Sequence, residues 1–272
     1  MTFIGIETLS MHSAIIGVGS NISPEENVRI AEREVGLLGE SLRKSRFIYT
    51  KPLLYEKQDD FLNGVFHIDT PYAYDELNDR LKEIETRLGR VRTGNKSGPR
   101  TIDLDTVIYN NQIRDADVFT RDFIKNPVIE LIPELEETLN CTNYKNHFGA
   151  IQGIIDKILS LLSAPPVSVF GAGSWFRDAE LPADTIDILV IAEDAAKGTE
   201  ETLNRELKGA GPGAMAPCPV NAQVFGPGEL EGLAAADNNE AETDVRSVPS
   251  IPGFPCLRLL YGRPDFISIS SS

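Results

Sequence analysis

The chain has 272 residues, a formal charge of −15, and 25% charged against 41% hydrophobic side chains. That length exceeds one ordinary domain, so two compact units are expected, and the composition is that of a folded protein rather than a disordered one. Acid predominates in both halves, which argues against a nucleic-acid partner bound through a basic face, and no run of about 18 apolar residues is present to span a bilayer.

Cys141, Cys218 and Cys256 show no CxxC spacing, so neither a zinc site nor a disulfide framework is indicated. Reduced thiols and the lack of a signal-like start in residues 1–12 give the expectation of a soluble, cytoplasmic protein.

Ser13 to Val18 is a short apolar run closed by Gly19-Ser20-Asn21, the pattern of a buried strand entering a turn. Ser23 before Pro24, with Glu25 and Glu26 behind it, predicts a helix capped by the Ser23 hydroxyl and ending near Gly39. Leu42–Tyr49 and Phe61–Ile68 read as strands separated by a polar loop over 50–60, long enough to be a substrate wall. Leu77, Leu81, Ile84 and Leu88 then mark one face of a helix over 74–88, stopped by Gly89.

After a basic, Gly-containing loop, Ile102–Tyr109 is another strand. The order β-α-β-β-α-β is the ferredoxin-like split pattern, an α+β fold. A short helical turn is expected over 127–135 and a longer helix over 151–162. The reading therefore gives one domain over 1–145, a helix and linker over 146–166, and a smaller α/β domain over 167–272. In that last part, 167–170 and 186–192 are strand candidates and 199–208 a helix candidate, while 209–219 and 226–255 are rich in Gly, Pro, Ala and acid and read as irregular.

The sharpest chemical feature is Gly98-Pro-Arg-Thr-Ile-Asp-Leu-Asp105. A strand puts Asp103 and Asp105 on one face, about 7 Å apart, where they can hold Mg²⁺ that bridges nucleotide phosphates. A D-x-D pair alone fits a solvated polar face equally well. Arg90, Arg92 and Arg100 flank the acids, and guanidinium forks suit phosphate oxygens that gain charge during phosphoryl transfer; the alternative is three arginines paired with surface acids.

Gly19-Ser20-Asn21, Phe61-Leu62-Asn63, Glu85 with Gly89-Arg-Val-Arg92, and the Gly98–Asp105 run resemble, in order and spacing, the hydroxymethyldihydropterin pyrophosphokinase family over roughly residues 13–140. The resemblance implies transfer of diphosphate from ATP to 6-hydroxymethyl-7,8-dihydropterin in folate biosynthesis. It implies that Asp103 and Asp105 ligate two Mg²⁺ with ATP, and that Arg92 and Arg100 steady the transferred group with Arg90 beside them. It places Glu85 and Arg121 in the ATP site. It assigns pterin recognition to Asn63, to backbone around Thr50 and Leu53, and to a sandwich of Phe61 and Phe123. Asp105 is a further candidate to accept the hydroxyl proton. The chain departs from the family in two places: residues 115–121 lack its Pro-His pair, and Ser97 stands where its loop carries Trp. Both departures bear on ATP affinity and rate.

Gly173-Ser174 followed by Asp184-Thr-Ile-Asp187 weakly resembles the opening of the nucleotidyltransferase superfamily. Thr185 replaces its first acid, and Asn221 and Gln223 stand where a later acid is needed. A degenerate nucleotidyltransferase-like domain without transferase chemistry is expected. For the whole chain, the alternative to an enzyme is a catalytically silent nucleotide- or pterin-binding protein.

Overall fold

The computed structural model describes residues 11–53, 57–91, 98–162, 166, 168–172, 176, 186–192, 199–208, 210, 220–225 and 258–262. Arg92, Gly94, Ser97, Gly173, Ser174, Asp184, Thr185, Cys218, Cys256 and the stretches 211–219 and 226–255 fall outside them, so the expectations placed there are not addressed by the structure. The chain forms two compact units, Met1–Leu131 and Ile132–Ser272. This division falls before residue 145, where the sequence reading ends its first domain.

In the first unit, β1 (His12–Ser20), β2 (Glu40–Lys44), β3 (Ile48–Thr50), β4 (Phe61–Thr70), β5 (Asp103–Tyr109) and β6 (Gln112–Ile113) form one antiparallel sheet. Its order is β2-β4-β1-β5-β6, with β3 also paired to β4. Helices α1 (Pro24–Gly36) and α2 (Tyr74–Arg87) connect the strands in the mixed α/β order read from the sequence.

Alternation along the strands decides which residues meet the helices. Ala14, Ile16 and Val18 of β1, Phe66 and Ile68 of β4 and Leu104 of β5 turn to one face. There they form a single buried cluster with Val28, Ala31 and Val35 of α1 and Leu77, Leu81 and Ile84 of α2. Removing side chains of this size from water contributes roughly 1.5–3 kcal/mol each and is what fixes the register. The opposite face carries the intervening residues Gly17, Gly19, Asn63, Asp103 and Asp105. That face holds the candidate site.

Three local expectations are corrected. Ser23 stands at the helix start with φ 41 and makes no side-chain cap hydrogen bond; the left-handed backbone, not the hydroxyl, sets the entry to α1. The strand expected over 42–49 is two strands, broken where Phe47 packs its ring against the bare Cα of Gly64. The helical turn expected from Pro127 is α3 (Asp122–Leu131), which begins earlier and contains Pro127 in its interior. Proline removes one helical N–H and crowds the carbonyl four residues earlier, so a helix already nucleated at Asp122 passes through it at a cost.

The second unit holds α4 (Glu136–Asn140), α5 (Thr142–Asn146) and α6 (Phe148–Leu161), which buries Ile151, Ile154, Ile155 and Ile158. It also holds a sheet of order β10-β7-β8-β9, built from β7 (Ser168–Ala172), β8 (Ile186–Ile191), β9 (Val220–Phe225) and β10 (Arg258–Gly262). Helix α7 (Thr199–Glu206) links the parallel pair β8 and β9. The sequence reading had no strand at 258–262. Cys141 is buried. Among the described residues no helix is long and apolar enough to cross a membrane.

Candidate active site

The floor of the site is the paired segment of β1 and β5. Gly19 lies opposite Asp103 and Gly17 opposite Asp105, so two glycines face two carboxylates across the ladder. A Cβ on Gly19 would stand 2.9 Å from Asn63 Oδ1, and one on Gly17 would stand 2.9 Å from Val107 Cγ2. Both glycines keep the floor low enough for the neighbouring side chains to lie over it.

Asn63 is buried and donates through Nδ2 to Thr50 Oγ1 at 2.7 Å, which fixes the orientation of its amide. Asn21 joins the two flanking loops. Its Nδ2 donates to Gln58 Oε1 at 3.0 Å and to the Asp59 carbonyl at 3.1 Å, while its Oδ1 accepts the Arg100 amide at 2.8 Å. The Asn21 amide returns a bond to the Arg100 carbonyl at 3.1 Å, and Ser20 Oγ donates to the Thr101 carbonyl at 2.5 Å. The Gly-Ser-Asn turn is thus the stitch between the substrate wall and the arginine loop.

Helix α2 ends in a Schellman pattern. Gly89 takes φ 77, its amide donates to the Thr86 carbonyl, and the Arg90 amide reaches the Glu85 carbonyl at 3.0 Å. That reversal brings the Arg90 side chain back over Glu85. Arg90 Nη1 donates to Glu85 Oε1 at 2.8 Å and also to Asp103 Oδ1, while Arg100 Nη1 donates to Asp103 Oδ2. Burial pushes the Asp103 carboxyl up, but the Arg90 and Arg100 guanidiniums outweigh it and hold it below the usual carboxylate range.

Oxygens of Glu85, Asp103 and Asp105 lie within 4.8 Å of one another, a hard-oxygen donor set that suits Mg²⁺. These three acids are met by three cations, since Lys82 Nζ reaches Asp105 Oδ1 at 2.8 Å. Of the arginines expected to flank the acid pair, Arg90 and Arg100 form ion pairs with Asp103, Asp105 is met by Lys82, and Arg92 lies outside the described residues.

A cavity of about 390 Å³ opens above this floor. Thr50, Leu53, Phe61, Asn63, Arg100, Asp103, Asp105, Arg121 and Phe123 all line it. Arg100 lies over the Phe61 ring at 5.5 Å, and Arg121 is 5.9 Å from the Phe123 ring. Arg121 is also held by Asp117 at 2.8 Å. Glu85 and Arg90 stand behind the lining: Glu85 is only 1% exposed and accepts the Leu104 amide at 2.8 Å, so it supports the site from inside. The sequence reading missed Lys82, Asn21's bridging role and Asp117. The spacing of Lys82 and Glu85, three apart on one helix flank, was the available signal.

The family model described as 7,8-dihydro-6-hydroxymethylpterin-pyrophosphokinase matches residues 15–133. Over 136 residues the chain is 33% identical to the 2-amino-4-hydroxy-6-hydroxymethyldihydropteridine pyrophosphokinase of Haemophilus influenzae, covering 46% of this chain and 84% of that protein. The chain belongs to the hydroxymethyldihydropterin pyrophosphokinase family. Proteins of the same name from Pseudomonas aeruginosa and Synechocystis are 33% and 30% identical, over 80% and 68% of their lengths. The family-model match covers most of the first unit, where the cavity lies, and about half of the chain lies outside the match to the Haemophilus influenzae protein.

Proposed function

We propose that the first unit, with the ferredoxin-like strand order, transfers diphosphate from ATP to 6-hydroxymethyl-7,8-dihydropterin, yielding AMP and the pterin diphosphate, as a step of folate biosynthesis. The observation that carries this reading is the sharing of one cavity by the Asp103–Asp105 face and by Phe61, Asn63 and Phe123. A charged floor and an aromatic wall give a phosphate subsite beside a subsite for a flat ring.

Asp103 and Asp105 would hold the metal, with two Mg²⁺ as the expected number. Bound there, Mg²⁺ would supply charge neutralisation for the triphosphate. Arg100 and Arg121 bind phosphate oxygens from the cavity wall, and Arg90, anchored on Glu85, keeps Asp103 oriented. Arg92 belongs to the same phosphate set by family resemblance. Phe61 and Phe123 clasp the pterin ring, Asn63 reads its polar edge, and the backbone near Thr50 and Leu53 completes that edge.

The hydroxymethyl oxygen forms a bond to the β-phosphorus, the bond from that phosphorus to the oxygen on the α-phosphorus breaks, and AMP leaves. Asp105, with a side chain 56% exposed, is the acceptor we assign to the hydroxyl proton. Catalysis in such a site is the holding of the two reactants in line together with neutralisation of the phosphate charge.

For the second unit we propose a nucleotidyltransferase-like domain without transferase chemistry. Asp187 on β8 lies opposite Asn221 of β9, and Gln223 rather than an acid follows.

The test is AMP formation in the presence of the dihydropterin alcohol and Mg-ATP. The reading expects AMP that requires both substrates and falls by at least about a hundredfold in Asp103→Ala and Asp105→Ala. ATP binding with no AMP would favour the silent binding protein instead, and equal turnover by the variants would remove the metal assignment.

A further inference from the structure

We infer that Lys82 is a built-in counter-ion that keeps free divalent metal off Asp105 until nucleotide is present. The inference rests on the reading of Asp103 and Asp105 as metal ligands.

Asp103–Asp105 lies on the outer edge of the sheet, because the only described strand beyond β5 is β6, which pairs with Ile108 and Tyr109 alone. The backbone of Leu104 therefore points away from β1 with no described strand to meet it. Helix α2 supplies the missing partners through two side chains. Glu85 Oε1 accepts the Leu104 amide at 2.8 Å, and Lys82 Nζ donates to the Leu104 carbonyl at 2.9 Å. A buried edge without such partners would leave polar groups unsatisfied.

The same ammonium also donates to Asp105 Oδ1 at 2.8 Å and to Glu85 Oε1 at 3.3 Å. Two of its three contacts are to groups on the sheet edge and the helix, not to the exposed acid. Lys82 is therefore tethered: leaving Asp105 does not free it from Leu104 or Glu85. A dication approaching Asp105 meets a fixed positive charge and an oxygen already in use. Both effects oppose it, and opposition between charges at this range is strong wherever water is partly excluded. Nucleotide phosphates bring the negative charge that offsets this opposition, so metal enters with ATP and not before it. Lys82 is a positioning residue that acts through Asp105.

The experiment is titration of nucleotide-free protein with Mn²⁺, read by electron paramagnetic resonance, for the full chain and for Lys82→Met, Lys82→Gln and Lys82→Arg. Lys82→Met and Lys82→Gln are expected to bind Mn²⁺ at least about tenfold more tightly than the parent, and Lys82→Arg at the parent's strength. Lys82→Gln keeps a donor for the Leu104 carbonyl, which guards against loss of the fold. Adding Asp105→Asn to Lys82→Met should abolish the gain. Binding by Lys82→Met and Lys82→Gln no tighter than the parent's overturns the inference, as does a gain that survives Asp105→Asn. The titration reads Lys82 whether or not the protein turns over. Parent protein that forms AMP while the variants show no gain therefore refutes Lys82 alone, and absence of AMP refutes the functional reading.

Discussion

Asn21 and Arg100 are joined at the backbone and by a side chain: the Arg100 amide donates to Asn21 Oδ1 at 2.8 Å, and the Asn21 amide donates to the Arg100 carbonyl at 3.1 Å. Arg100 contacts Asp103, and Asn21 also grips Gln58 and the Asp59 carbonyl, so this one turn sets the separation of the phosphate and pterin sides.

Asn21→Ala removes three hydrogen bonds at a residue only 4% exposed. Leaving buried partners unsatisfied costs about 1–3 kcal/mol. Urea unfolding should show that loss, and KM should rise for ATP and pterin together because both loops hang from the same amide. A rise for one substrate alone would place Asn21 on one loop only.

Gly19→Ala tests space rather than backbone freedom. The new methyl would sit 2.9 Å from Asn63 Oδ1, on a strand whose backbone accepts alanine. Overpacking of this kind costs roughly 1–3 kcal/mol, and the softest neighbour is the Asn63 amide. The expected result is a weakened pterin complex, measured by calorimetry, with nucleotide binding little changed. Equal weakening of both would show that the strand, not Asn63, had moved.

Glu85→Ala removes one of the partners of Arg90 and the acceptor of the Leu104 amide in the interior. Removing one member of a buried charged set costs about 3 kcal/mol. Thermal unfolding should fall well before ATP affinity does. A lost ATP affinity with unchanged melting would place Glu85 at the nucleotide itself, the role the family resemblance implies.

Much of this was legible in the residues. Ala14, Ile16 and Val18 alternate cleanly, and Leu77, Leu81 and Ile84 repeat at helical spacing, so β1 and α2 were readable from burial pattern alone. The shared face of Asp103 and Asp105 followed from strand period. The bulge in β5 did not. Val107 is an extra residue against β1, so Asp103 and Asp105 face the site while Tyr109, of the same parity, faces the helices. The left-handed Ser23 was hidden because Ser-Pro-Glu reads as a side-chain cap whether or not the hydroxyl engages. The Lys82–Leu104 contact was hidden because it depends on which strand edge is left unpaired, a property of topology and not of local sequence.

His67 gives a pH dependence of stability with a defined sign. Its Nε2 lies 2.8 Å from Ser13 Oγ, and Arg43 Nε donates to its Nδ1 at 3.2 Å, an arrangement that suits the neutral ring. Burial, then the Arg43 charge, lowers its pKa from the ordinary 6.5, with Asp69 opposing. The unfolded chain therefore binds the proton more readily. This contribution to stability is full above about pH 6.5 and is lost as pH falls toward the lowered folded value. Melting temperature measured from about pH 7.5 down to about pH 5 should fall less steeply in His67→Gln than in the parent. Identical slopes would remove His67 from the account.

The central claim is that the cavity above Asp103 and Asp105 moves a diphosphate and not a single phosphoryl group. Phosphorus-31 resonance of the reaction mixture reads this directly. The account predicts AMP and a pterin diphosphate appearing in equal amounts; ADP with a pterin monophosphate, or nucleotide consumption indifferent to the pterin, would contradict it.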